Sequence, residues 1–283
     1  MIPTLPENRG EATGALELSP RYEDITQDGR LILTAMMPGL GCVWRKMRDD
    51  LGGFDSVIAK GIIPILRRVI IVGDVGPTSV NVPIAFEGQF RLMREKGGER
   101  LFCNMWLEAR AQRATTFGPP PAKDAPRELV GRVFAEHVVT KPFAPPADRK
   151  VSLDDLASIP TFAALLHEDY EFLSAESLVD GATLAPAAEI SFGMMHTDSN
   201  QHVNSLVYPR MFEEAVVRHR TNLSNLCARA VEMRWRKPFF AGDRASIALA
   251  MTDERTAVGT FGKAPAANGG DSKPHCAMRL TLG

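Results

Sequence analysis

Asp198-Ser199-Asn200-Gln201-His202-Val203-Asn204, followed by Ser205-Leu206-Val207-Tyr208, gathers a carboxylate, side-chain amides, an imidazole and hydroxyls into one short run. Residues 188–196 before it read as a strand, and 207–220 after it read as an amphipathic helix, so the run sits on a strand-to-helix connection. The unpaired N–H groups and positive dipole end of a helix favour negative charge nearby, and a carbonyl oxygen becoming an oxyanion is such a charge. Asp198, Ser199 and Asn200 are also common helix caps. A cap uses one or two of these residues, which leaves a spare amide and the imidazole of His202, two residues after Asn200.

The remaining histidines have less to offer. His196 lies two residues before Asp198 and can line the same site, whereas His137, His167, His219 and His275 read as surface or partly buried structural residues. A metal held by His196, His202 and Asp198 lacks the i, i+4 spacing that would put two ligands on one helical face, and no cofactor is expected. Met194, Met195, Met211, Phe212 and Val216 fit a core stripe at least as well as a ligand tunnel. Arg210, Arg234, Arg236 and Lys237 read as scattered surface charge.

Those residues need elements to hold them, and 283 residues suffice for one large or two ordinary domains. A net charge of −1 with dispersed basic residues gives no footprint for nucleic acid. Cys42, Cys103, Cys227 and Cys276 show no CxxC pairing and read as reduced thiols. The first 19 residues lack the basic start and apolar run of a signal peptide. The most apolar stretch, 57–72, is interrupted by Lys60, Pro64, Arg67 and Arg68, which argues against a membrane span. A cytoplasmic protein is expected.

The expected organisation is a loose leader over 1–20, a first unit over 21–143, a linker with short helices over 144–187, and a second unit over 188–283. In the first unit 31–37 reads as a buried strand and 54–72 as a helix kinked at Pro64; strands follow near 80–87, 89–94, 100–111 and 129–141. In the second unit strands follow the helix near 228–238, 244–251, 256–263 and 275–282, with a turn at Asn268-Gly269-Gly270. The two units share one order of elements without a strong residue-level repeat.

Asp198-x-Asn200-Gln201-His202-Val203-Asn204-x-x-x-Tyr208 resembles the signature of hotdog-fold acyl thioesterases, most closely the acyl-ACP thioesterases and more loosely the 4-hydroxybenzoyl-CoA thioesterase-like group. Phe212-Glu213-Glu214, Lys237-Pro238 and Gly242-Asp243 extend the similarity over roughly 188–283. The resemblance implies an α+β double hotdog, two units each with a long helix wrapped by a curved antiparallel sheet. It makes the C-terminal unit catalytic and the N-terminal one, with its helix near 54–72, a structural partner walling an acyl tunnel.

It further implies acyl-CoA or acyl carrier protein as the substrate carrier, hydrolysed to acid and thiol. Asp198 is then the base or nucleophile, Asn200 and His202 orient water and thioester, and N–H groups over Val203, Asn204 and Ser205 receive the oxyanion; Tyr208 and His196 complete the substrate contacts. Two departures stand out. Ser205 replaces a second Asn, and Met233-Arg234-Trp235-Arg236-Lys237-Pro238 has no acid where the family places a downstream carboxylate. A dehydratase or hydratase, an acyl transferase and a non-catalytic acyl-binding protein stay open beside hydrolysis. The first would be expected to show an H-x-x-x-G-x-x-x-x-P run, of which Gly61-Ile62-Ile63-Pro64 is a faint echo without the His. Both a single chain and a homodimer remain compatible with the sequence.

Overall fold

The computed structural model describes residues 1–7, 13–73, 76–219, 227–264 and 273–283. The chain divides into two compact units, Met1–Phe172 and Leu173–Gly283, so the segment expected as a linker over 144–187 is shared between them.

The N-terminal unit contains β1 (Thr13–Leu18), α1 (Leu40–Leu51), α2 (Phe54–Ala59), β2 (Ile63–Gly73), β3 (Ile84–Glu95), β4 (Leu101–Gln112), β5 (Arg127–Thr140), α3 (Pro160–Leu165) and β6 (Leu166–Tyr170). Its sheet runs β1-β3-β4-β5-β2, all antiparallel, with β6 parallel along β3. Three expectations are corrected. The leader is not loose throughout, because 13–18 is β1, registered against β3 from Thr13↔Gln89 to Leu18↔Ile84. The stretch expected as a buried strand over 31–37 is largely a 3-10 turn, Leu33–Gly39, that leads directly into α1. The stretch expected as a helix over 54–72 is helical only to Ala59; from Ile63 it is β2, paired with β5. Ile62, Ile63, Ile65, Val69, Ile70, Ile71 and Val72 are β-branched, and such side chains pack better on a pleated surface than in a helix.

The longest helix of this unit is therefore α1, whose Leu40, Val43, Met47 and Leu51 form a buried stripe at helical spacing. It packs on β1 and β3. Behind it His137 is buried, its Nδ1 3.2 Å from the Cys103 carbonyl and its ring edge-on to Trp44 at 4.9 Å.

The C-terminal unit contains β7 (Ala185–Ser191), α4 (Val207–His219), β8 (Ala228–Trp235), β9 (Arg244–Met251), β10 (Thr256–Lys263) and β11 (Cys276–Leu282). Its sheet order is β7-β9-β10-β11-β8. Counted within each unit, the order first, third, fourth, fifth, second is the same in both, with the helix between first and second. The expected turn at Asn268-Gly269-Gly270 lies outside the described residues.

Tyr208, Phe212, Ala215 and Val216 are the buried face of α4. Tyr208 stands 5.4 Å from Phe261 and 6.0 Å from Trp235, ring centre to ring centre. A Cβ at Gly259 of β10 would lie 2.6 Å from Phe212 Cε2, so glycine there lets the helix press onto the sheet. Among the described residues no helix is long and apolar enough to cross a membrane.

Candidate active site

The connection from β7 to α4 is a closed loop. After Ser191 the chain makes a 3-10 turn, Met194–His196, and then Thr197 and Val203 pair as an isolated antiparallel bridge. Inside that bridge Asp198 N–H donates to the His202 carbonyl at 3.3 Å and Gln201 N–H to the Asp198 carbonyl at 2.9 Å. Closing a loop this tight puts Gln201 at φ 63°, in the left-handed region.

Asp198 is half-buried, and both of its carboxylate oxygens are engaged. Oδ1 accepts the N–H of Asn200 at 2.9 Å and Oδ2 accepts the Nδ2 amide of Asn204 at 2.9 Å. An ionised carboxylate has about four acceptor positions, so two directed bonds orient it and leave room for a water. His202 is half-buried, with Nδ1 3.3 Å from the Val203 carbonyl. A carbonyl only accepts, so Nδ1 carries a proton in that contact, and Nε2 points away from it. The Asn200 side chain is exposed, and its amide is not engaged by any described residue. These three residues share one loop, with a fixed carboxylate, an imidazole nitrogen turned away from the backbone contact and an unoccupied amide.

The residues expected to contact substrate divide differently. Val203 is buried and its N–H donates to the Phe239 carbonyl at 2.7 Å, while the Asn204 N–H donates to the His196 carbonyl at 2.8 Å. Neither is free to meet an oxyanion. The Ser205 N–H has no acceptor among the described residues and keeps that capacity. Asn204 is a positioning residue: besides aiming Asp198, its Oδ1 accepts the Leu206 N–H at 2.8 Å at the start of α4. Tyr208 is enclosed in the core at 1 % exposure, its hydroxyl accepting the Phe239 N–H at 3.3 Å, and burial pushes its pKa far up. A substrate contact through Tyr208 is not supported. His196 accepts the Gly193 N–H on Nδ1 at 2.9 Å, which puts the proton of the neutral ring on Nε2, and its ring meets Phe192 edge-on at 5.8 Å.

Beyond the loop, Met194 and Met195 are not core: they are 77 % and 95 % exposed, and with Phe240 at 51 % they flank it. Arg234 is not surface charge. It is buried, and its guanidinium binds Glu232 at 2.7 Å and reaches the Ser174 carbonyl and Ser177 Oγ. Because Trp235 faces α4, strand alternation puts Glu232 and Arg234 on the opposite face of β8. Glu232 therefore lies on the face of β8 turned away from α4. Burial pushes the Cys276 thiol far up as well, which makes it a poor nucleophile. Among the described residues no group of three or more His, Cys, Asp or Glu is placed to hold a metal ion.

One relationship had no signal in the side chains. In the N-terminal unit, Ile25 and Leu31 form the same isolated bridge that Thr197 and Val203 form in the C-terminal one. Thr26 N–H donates to the Arg30 carbonyl, Gly29 N–H to Thr26, Ile32 N–H to Asp24 and Asp24 N–H to Arg21, each matching a bond of the C-terminal loop. The correspondence holds at one offset, from 26 to 198 and from 29 to 201. Thr26, Asp28 and Arg30 stand where Asp198, Asn200 and His202 stand, and Gly29, at φ 77°, stands where Gln201 does. The N-terminal loop keeps the backbone and lacks the carboxylate-amide-imidazole set.

No protein-family model and no curated protein matches the sequence. Solved structures do match across nearly the whole chain. An acyl-ACP thioesterase from Bacteroides thetaiotaomicron superposes with a TM-score of 0.66 at 16 % identity, covering 98 % of this chain and 100 % of that one. A putative oleoyl thioesterase from Lactobacillus plantarum gives 0.63 at 12 % identity, with 98 % of each chain covered. The 12:0-ACP thioesterase from Umbellularia californica gives 0.61 at 13 % identity, covering 96 % and 98 %. The fold is the α+β double hotdog of the acyl-ACP thioesterase structures.

Proposed function

We propose that the C-terminal unit hydrolyses an acyl thioester, carried on coenzyme A or an acyl carrier protein, to free acid and thiol. The observation that carries this reading is the loop geometry: Asp198 held at both oxygens by Asn200 N–H and Asn204 Nδ2, with the Nε2 face of His202 and the free Asn200 amide on the same loop. The solved structures it resembles, whose names include acyl-ACP thioesterases, support the same reading.

In this reading a water bound to Asp198 attacks the thioester carbonyl carbon as its proton passes to the carboxylate. Asn200, with His202 acting through Nε2, positions water and carbonyl. The Ser205 N–H, at the positive end of α4, faces the oxygen that gains charge. The tetrahedral intermediate then collapses with breakage of the carbon–sulfur bond, and the proton on Asp198 goes to the departing sulfur. A positioned base of this kind contributes roughly 10²–10⁴-fold, and each donor aimed at the oxyanion about 3–4 kcal/mol. The Glu232–Arg234 pair takes no part, so Asp198 carries the proton-transfer role alone.

Release of free thiol from a panel of acyl-CoA and acyl-ACP thioesters tests the proposal. Hydrolysis by the wild type that is lost in Asp198→Asn and reduced in His202→Ala is the expected outcome. A wild type inactive on every thioester, or an Asp198→Asn variant with undiminished turnover, overturns it.

A further inference from the structure

Gln201 is the one described residue other than glycine with a left-handed backbone. The internal duplication supplies its control. Gly29 occupies the same place in a loop with the same bridge and the same backbone hydrogen bonds, at φ 77° against 63°. The turn thus needs no side chain at this position, and glycine makes it without the steric penalty of a Cβ. A strained residue kept where the duplicate loop has glycine marks a side chain that is used.

The Gln201 side chain is exposed, lies between Asn200 and His202 in sequence, and forms no hydrogen bond to a described residue. A carboxamide offers one acceptor and two donor hydrogens, the complement of a secondary amide. In a thioester of coenzyme A or of a carrier protein, whatever the acyl group, the sulfur side of the reacting carbonyl leads through two methylenes to the first amide of the pantetheine arm. That amide is common to every such substrate, lies close to the reacting carbonyl and matches the chemistry of Gln201.

We infer that Gln201 is a substrate-binding residue whose carboxamide takes the pantetheine amide and so adds to the affinity for the thioester. The inference rests on the thioesterase reading above and deepens it, since both carriers share this arm. It also accounts for the strain: the left-handed turn holds Gln201 at the loop apex, beside the residues assigned to the reaction.

The test is Gln201→Gly, a substitution that the N-terminal loop shows the backbone accepts. With the acyl-CoA that the wild type cleaves best, KM is expected to rise about tenfold with kcat retained, the effect of losing one hydrogen bond used in binding. Competitive inhibition by pantetheine, which has both amides and no acyl chain, weakens by the same factor, while inhibition by the free acid released from that acyl-CoA stays as it was. The thermal midpoint is unchanged or raised. An unaltered KM with unaltered pantetheine inhibition overturns the inference, as does a loss confined to kcat. Failure of the function reading looks different, because there the wild type itself releases no thiol, and the inference falls with it.

Discussion

Asn204 ties the helix to the carboxylate: its Nδ2 donates to Asp198 Oδ2 at 2.9 Å while its Oδ1 accepts the Leu206 N–H at 2.8 Å. One side chain thus starts α4 and aims the group proposed to activate water. The two functions can be separated by mutation. Asn204→Ala removes both and is expected to lower kcat by up to roughly 100-fold, the order that misplacing a reacting group by an ångström costs, and stability by about 1 kcal/mol through the lost cap. Asn204→Ser restores a capping oxygen without reaching Asp198, so it should recover the thermal midpoint and leave kcat low. Equal recovery of both would show that the Asp198 contact is incidental.

Glu232 is the acid nearest in sequence to the empty 233–238 stretch, yet it is bound to Arg234 and lies on the face of β8 away from α4. Glu232→Gln is therefore expected to lower stability by roughly 3 kcal/mol, because it removes the carboxylate charge paired with a buried guanidinium. The folded fraction should retain wild-type kcat. A collapse of kcat in protein that remains folded by circular dichroism would reinstate Glu232 as the missing carboxylate.

Gly259 permits the approach of α4. An added Cβ would stand 2.4 Å from the Ala248 carbonyl oxygen and 2.6 Å from Phe212 Cε2, and the carbonyl belongs to the neighbouring strand and cannot rotate aside. Gly259→Ala is expected to destabilise the unit by about 1–3 kcal/mol. Phe212 lies one helical turn after Tyr208, so displacing it also shifts the start of α4. The same variant should therefore lose activity under conditions where it is still folded, which comparing denaturation midpoints with turnover below the midpoint would establish.

The candidate site stands out in the sequence because its residues are contiguous: Asp198, Asn200, His202 and Asn204 fall within seven positions, and their side-chain types carry the signal. The helix α4 was legible for the same local reason, an apolar stripe at regular spacing. In the N-terminal unit two periodicities compete. Phe54, Val57, Ile58, Ile62, Ile65, Leu66 and Val69 match a helical stripe, but Pro64 and the β-branched run after it belong to β2. Conversely, Gly39 and Gly41 dilute the start of α1, so the buried Leu40, Val43, Met47 and Leu51 stripe gives only a weak helical signal in the sequence. Assignments that depended on backbone bonding could not be made from side chains. The Val203 and Asn204 N–H groups are occupied by carbonyls from Phe239 and His196, one of them distant in sequence. The matched loops escaped for the same reason, since backbone hydrogen bonds fix their shape and Thr26 or Arg30 need not resemble Asp198 or His202.

His137 makes the stability of the N-terminal unit depend on acid. It is buried between the Cys103 carbonyl, which its Nδ1 faces at 3.2 Å, and the Trp44 ring, and desolvation lowers its pKa from 6.5 to about 4, partly opposed by the Cys103 contact. The folded state therefore holds the ring neutral over a range where the unfolded chain takes up a proton. Above pH 6.5 both states are neutral and nothing is lost. As pH falls from 6.5 towards 4 the unfolded state gains the proton first, so stability declines progressively, by roughly 3 kcal/mol once both states are protonated. Denaturant titrations at neutral pH and near pH 5 should show this decline. His137→Gln keeps a donor for the Cys103 carbonyl without a titrating ring, so its stability should fall less over the same interval; a parallel decline in the variant would assign the acid sensitivity to other groups.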